Sequence, residues 1–242
     1  MVKNLWRSFQ AALAMLTRLP APKVASFSAE ERGRGLIWFP IIGGLMGAVL
    51  VATAWWVLRD VEPILASVIL LTVWLFVSEL HHLDALAHCV SGWMFARSED
   101  QEGGASASDN LGVMGVIALI MMMKFSALSV LLEYDALIYI LLAPIVARLL
   151  AVALIGFTPV ASNATLAHEF RIEFPYLALF VWLLMAVPLA LVVGLPMFVM
   201  FVALMLIRFR MVQRSGGMTW EGIGASIVLL ETLGLFAAAV LS

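Results

Sequence analysis

Leu137-Ile-Tyr-Ile-Leu-Leu-Ala-Pro-Ile-Val-Ala-Arg-Leu-Leu-Ala-Val-Ala-Leu-Ile-Gly-Phe157 decides the fold class. A hydrocarbon core needs about 20 apolar residues per helix, and this run supplies them with one charge, Arg148. Similar runs lie at 36–58, 64–81, 112–133, 175–193, 196–208 and 222–241. The chain has 242 residues, 64% hydrophobic and 12% charged, whereas a soluble domain averages about a quarter charged. An all-α, polytopic integral membrane protein of about six or seven transmembrane helices is expected. The runs are continuous rather than alternating, which excludes a β-barrel.

Outward from these runs the chain is sparse. Leu5, Trp6, Phe9, Leu13 and Leu16 recur at helical spacing within 4–17, with Arg7 and Gln10 elsewhere on the wheel. That pattern predicts an amphipathic helix in the membrane interface, within an N-terminal cytoplasmic or interfacial segment, 1–35. The early apolar stretch is short and interrupted, so no cleavable signal peptide is expected. Only Gly194-Leu195-Pro196 separates the fifth and sixth spans, which form a helical hairpin or two half-spans. Residues 98–110 have linker composition. No repeat is visible, and the whole chain, 1–242, reads as a single membrane domain. One cysteine allows neither a disulfide framework nor a Cys-rich metal site. The net charge of −2 specifies no partner beyond the bilayer, and no nucleic acid is expected.

Lys and Arg positions set the orientation. With the N-terminus inside, the inner segments 1–35, 82–111, 158–174 and 209–221 hold Lys3, Arg7, Arg18, Lys23, Arg32, Arg34, Arg97, Arg171, Arg210 and Arg214. The outer segments hold only Arg59. A multi-pass inner-membrane protein with a cytoplasmic N-terminus is expected, with its site also cytoplasmic, in the loop 82–111.

Three constellations could carry chemistry. The first is Ser78-Glu-Leu-His-His-Leu-Asp-Ala-Leu-Ala-His-Cys-Val-Ser-Gly92, which follows an apolar run. On a helix Asp84, His88 and Ser91 share a face. Asp84 and His88 could ligate one metal ion, or this is a solvated helix end. The second is Ser215-Gly-Gly-Met-Thr-Trp-Glu-Gly-Ile-Gly-Ala225. Glycines before a helix let backbone N–H groups approach an anion, and Glu221 can bind a cation. Equally, Thr219 caps the helix and Glu221 complements its dipole. The third comprises Lys124, Arg148 and Glu231, all near mid-span. They form a structural ion pair or a basic wall for phosphates.

Together these residues resemble the cobalamin synthase family, the membrane-bound adenosylcobinamide-GDP ribazoletransferases. The resemblance runs nearly the full length. Leu16-Thr-Arg-Leu-Pro-Ala-Pro22 is similar to the family's opening signature. Arg34, Phe39-Pro40, Gly43 and Gly47 match its first span. His82-Leu-Asp84 and Gly92 frame its acidic motif, His-Leu-Asp-Gly-Leu-Ala-Asp-x-x-Asp-Gly. Gly112 to Lys124-Phe125, Ala143-Pro144 to Arg148, Gly216-Gly-Met-Thr219 and Gly224-Ala225 resemble later motifs.

The departures fall on the acids. His88 and Ser91 stand where the motif has aspartates, and Ala85 where it has glycine. A following Met-Lys-Asp motif is absent, with Ser108 or Asp109 near its aspartate. Trp220, Glu221 and Val228 replace a glycine, an aspartate and a glutamate, while Glu231 fits a second family glutamate.

The resemblance implies transfer of adenosylcobinamide phosphate from adenosylcobinamide-GDP to α-ribazole or its 5′-phosphate, with release of GMP. It implies Mg²⁺, with Mn²⁺ the alternative that His88 favours. The implied catalytic residues are Asp84, Glu221, Lys124 and Arg148. Gly216, Gly217 and Thr219 would bind the phosphates, and Asp84, His88, Glu221 and Glu231 the metal. A homo-oligomer, or a complex with other cobamide-assembly enzymes, fits a membrane-bound step. Two further readings stay open: a catalytically impaired homologue that binds corrinoid precursors or partners, and a small-solute transporter using Lys124, Arg148 and Glu231.

Overall fold

The computed structural model describes residues 2–57, 60–94, 107–162 and 164–242. They form eleven α-helices: α1 (Val2–Leu16), α2 (Ala29–Gly35), α3 (Phe39–Val57), α4 (Pro63–Trp74), α5 (Leu80–Met94), α6 (Ala107–Glu133), α7 (Leu137–Phe157), α8 (Thr165–Ile172), α9 (Tyr176–Val193), α10 (Leu195–Ser215) and α11 (Trp220–Leu241). The only β-type pairing among these residues is an isolated parallel bridge between Val160 and Met218. Among the described residues, five helices are long and apolar enough to cross a membrane, and up to seven spans result if each of two bent pairs counts as one. The chain is therefore a multi-pass, all-α membrane protein.

α7 and α11 form the centre, buried along most of their length. Glycines let α3 lie directly against α7. A Cβ on Gly43 would stand 2.5 Å from the Pro144 carbonyl oxygen, and one on Gly47 would meet that of Leu141. Small residues four apart permit such backbone approach where no hydrophobic force drives helices together in lipid. The outward apolar side chains, such as Leu177, Leu184 and Leu191 of α9, suit a lipid exterior.

At the N-terminus, Ser28 and Glu31 form a capping box that starts α2. Arg7 of α1 donates to the Glu31 carboxylate and to the Ser26 carbonyl. That bond to the Arg7 guanidinium holds the Glu31 carboxyl below its ordinary range. Arg32 of α2 pairs with Glu169 of α8, tying the N-terminal segment to the loop region after α7. The end of α1 docks on the π-helical turn Leu75–Glu79. Arg18 N–H donates to Val77 O, and Ser78 Oγ to Leu16 O.

Several expectations need correction. The segment read as a loop, 82–111, is helical through Met94 in α5, and α6 already begins at Ala107. Residues 98–106 of the expected linker lie outside the described residues. α5 forms because Leu86, Cys89 and Val90 make an apolar stripe against Ile120 of α6 and Ala225 and Val228 of α11. The chain bends by 85° between α4 and α5 at the π turn, a common device at functional sites. The fifth and sixth spans are two full helices about Gly194, whose φ is 61°, so the hairpin stands and the half-spans do not. α10 runs on to Ser215, past the expected end at 208.

Candidate functional site

The mid-span charges meet in the core. Lys124 Nζ lies 3.0 Å from Glu231 Oε2 and 4.2 Å from the centre of the Trp74 ring. Trp74 Nε1 donates to the same oxygen at 3.0 Å. Arg148 pairs with Glu231 Oε1 and donates to Ser78 Oγ at 2.9 Å. Lys124, Arg148 and Glu231 are fully buried. Burying ions away from water is expensive unless they are paired and hydrogen-bonded, and this arrangement meets that need. It also couples five segments: α4, α6, α7, α11 and the π turn. The structural reading of these charges therefore describes their geometry. Both Glu231 oxygens already face protein cations, which leaves the carboxylate poorly suited to the metal role expected of it. Neither Lys124 nor Arg148 lines the polar pockets described next.

The other two constellations converge at one end of the bundle. α5 crosses α11 where the latter has Gly224. A Cβ there would lie 2.8 Å from Ala85 Cβ and 3.4 Å from His82 Nδ1. This crossing buries Ala85 and His82 and turns Asp84 and His88 outward, where both are exposed. A pocket of about 310 Å³ opens beside His88. His88, Cys89, Gly92 and Trp93 of α5 face Arg214, Ser215, Thr219 and Glu221 across it. Asp84 sits one turn before His88 on the same exposed face. A second pocket of about 320 Å³ lies between the start of α8 and the start of α11, and Thr219 and Glu221 line it too. These two side chains thus stand between two cavities.

The residues around Thr219 are held by the backbone. Gly216 ends α10 in a left-handed conformation, φ 69°, and its N–H donates to Val212 O at 3.1 Å. Gly217 passes against the 159–161 segment: a Cβ would stand 2.5 Å from Pro159 O. Met218 N–H donates to Pro159 O at 2.7 Å, and Ala161 N–H to Met218 O at 3.1 Å. Both glycines expected to cradle phosphate are thus required by chain geometry. The Thr219 hydroxyl accepts the Gly222 N–H at 3.1 Å as the N-cap of α11. Glu221 falls in the first turn, where the helix dipole favours a carboxylate.

Arg214 and Trp93 were not read as site residues. In the sequence Arg214 is only a topology marker, and Trp93 belongs to no motif. No spacing rule joins either to a motif, because the pocket exists only when α5, α10 and α11 pack together. As for a metal, no three His, Cys, Asp or Glu side chains converge among the described residues. Mg²⁺ is ordinarily held through one or two carboxylates together with substrate phosphates. Glu221 at the pocket and exposed Asp84 fit that smaller demand, whereas a cage built by the protein alone does not.

Fold and site define a class: a multi-pass, all-α membrane protein with two polar pockets meeting at a capped helix start. Within that class the chain belongs to the cobalamin-5-phosphate synthase family, whose model matches residues 8–239. It is 34% identical to an adenosylcobinamide-GDP ribazoletransferase of Pseudomonas aeruginosa, over 97% of this chain and 98% of that protein. Relatives of the same name in Ectopseudomonas mendocina and Acinetobacter baumannii are 31% and 26% identical, covering 95% and 96% of this chain and 97% and 96% of their own lengths. No solved structure matches.

Proposed function

We propose that this protein transfers adenosylcobinamide phosphate from adenosylcobinamide-GDP to α-ribazole or its 5′-phosphate, releasing GMP, in the nucleotide-loop step of cobalamin biosynthesis. One observation carries the reading beyond family membership. The helix bearing Asp84 and His88 and the segment bearing Thr219 and Glu221, far apart in sequence, share one pocket, and a second cavity adjoins it at Glu221. A two-substrate transfer needs that arrangement.

The reaction forms a phosphorus–oxygen bond to a ribazole hydroxyl and breaks the one to GMP, which leaves with the electron pair. The hydroxyl proton passes to a base, for which His88 is the pocket's imidazole. Arg214 neutralises diphosphate charge, and the Trp93 indole offers a face for a purine. Glu221 and Asp84 would hold Mg²⁺, which screens the phosphate oxygens in such transfers. Lys124, Arg148 and Glu231 hold the helices that present these groups. We place the protein in the inner membrane with its N-terminus and this site cytoplasmic, on the Lys and Arg bias.

A second reading has its own support. His88 and Ser91 in place of aspartates remove two negative charges from a site meant for a divalent cation. A homologue that binds corrinoids without turning them over would carry such losses. Incubating the purified protein with adenosylcobinamide-GDP, α-ribazole and Mg²⁺ or Mn²⁺ separates the two. We expect GMP release, lost by at least about a hundredfold in Asp84→Ala and Glu221→Gln. No GMP with either metal, together with retained corrinoid binding, would establish the second reading.

A further inference from the structure

A groove of about 340 Å³ runs along the outer surface where α7, α9 and α10 meet. Its walls are apolar, among them Leu150, Leu154, Ala186, Met197 and Phe201. Its one charged lining residue is Arg208, whose guanidinium donates to the Phe157 carbonyl at 3.2 Å. A guanidinium has five donors, so this bond anchors the head and leaves capacity for a ligand.

From Met197 to Arg208 the groove follows α10 for about 17 Å, at 1.5 Å per residue. One leaflet of a bilayer has a hydrocarbon depth of about 15 Å. Arg208 lies toward the α10 end that leads through Ser215 into the polar pocket, so the charged mouth is on the site's side of the membrane. Wall chemistry, length and the position of the single cation fit one molecule: a lipid with its acyl chain in the groove and an anionic headgroup at Arg208. We infer that this groove is a binding site for an anionic phospholipid of the leaflet on the site's side. It rests on no part of the proposed catalytic reading. A lipid here would bridge α7 and α10, and both lead directly to the paired 159–161 and 216–218 segments behind Glu221.

The test uses the full-length protein in mild detergent, with phosphatidylglycerol or phosphatidylcholine of matched chains, and native mass spectrometry to count bound lipid. Wild type should retain phosphatidylglycerol about fivefold better, the scale of one interfacial basic residue. Arg208→Gln should abolish that preference, Arg208→Lys should keep most of it, and Ala190→Trp, which fills the groove, should reduce binding of both lipids. Equal retention of the two lipids by wild type, or an unchanged preference in Arg208→Gln, would overturn the inference. So would an Ala190→Trp protein that keeps its lipid but changes from dimer to monomer, because the groove's occupant would then be a second copy. Monodispersity of each variant by size exclusion guards against misfolding.

Discussion

At the scale of single residues, the separation between chemistry and support is sharp. Glu231 sits between Lys124 and Arg148 with no exposure. Removing one partner of such a set strands buried charge and costs about 3–5 kcal/mol, so Glu231→Ala should lower the thermal midpoint strongly in detergent. The joint change Lys124→Met, Arg148→Leu and Glu231→Leu should recover much of that stability, since apolar groups of similar volume replace buried ions without large loss. It should also keep GMP release. A folded triple variant without turnover would return a catalytic role to the cluster. The exposed face of α5 makes the opposite prediction. His88→Asp with Ser91→Asp restores carboxylates, and should lower the Mg²⁺ concentration for half-maximal activity by on the order of tenfold, as added ligand charge does. The place of Glu221 at the pocket is legible because it sits inside a motif frame. That of Arg214 is not, because its relation to α5 is made by tertiary packing alone.

At the scale of elements, glycine placement and charge pairing set how helices meet. Gly43 and Gly47 are the contact surface of α3 on α7. A leucine at Gly47 would have to push two backbones apart; overpacking typically costs about 1–3 kcal/mol, and backbone displaced by a leucine lies at the upper end. Gly47→Leu should reduce the yield of folded protein and the thermal midpoint, while Gly115→Leu, whose site is open, should change little. The Arg7 contact on Glu31 adds a pH dependence. A carboxyl whose folded pKa is depressed contributes stability above its ordinary range and loses it as pH falls through the depressed value. Protection of α1 amides in hydrogen exchange should therefore be full above the ordinary carboxylate range and decline as pH falls from that range to the depressed value, and Glu31→Gln should remove that dependence. The apolar runs located the spans well, with α7 matching its expected limits. They said nothing of the 85° bend, because hydropathy is blind to direction. The sequence predicts a loop where α5 forms, since its apolar stripe is short and interrupted by three histidines. It becomes helical by packing on α6 and α11.

At the scale of the whole molecule, the balance of Lys and Arg and the location of the pockets point to the same side. Arg214 lies in the pocket, Arg171 donates to the Thr158 carbonyl beside the paired 159–161 segment, and Arg7, Arg32 and Arg34 tie the N-terminal helices down through ion pairs, Arg32 to Glu169 of α8 and Arg34 to Glu173 just after it. Basic residues that mark the orientation are thus also those that assemble the pocket end, so an inverted protein would carry its two polar pockets away from cytoplasmic nucleotides. In a Cys89→Ser background, single cysteines test this directly. Tyr134→Cys lies in the exposed turn between α6 and α7, and Gln213→Cys lies exposed on α10 one residue before Arg214. An impermeant maleimide added to spheroplasts should label Tyr134→Cys at once and Gln213→Cys only after the membrane is opened. The reverse pattern would place Glu221 and both pockets outside, where GMP release could not serve cobalamin assembly, and would remove the cytoplasmic reading of the site while leaving the helix packing untouched.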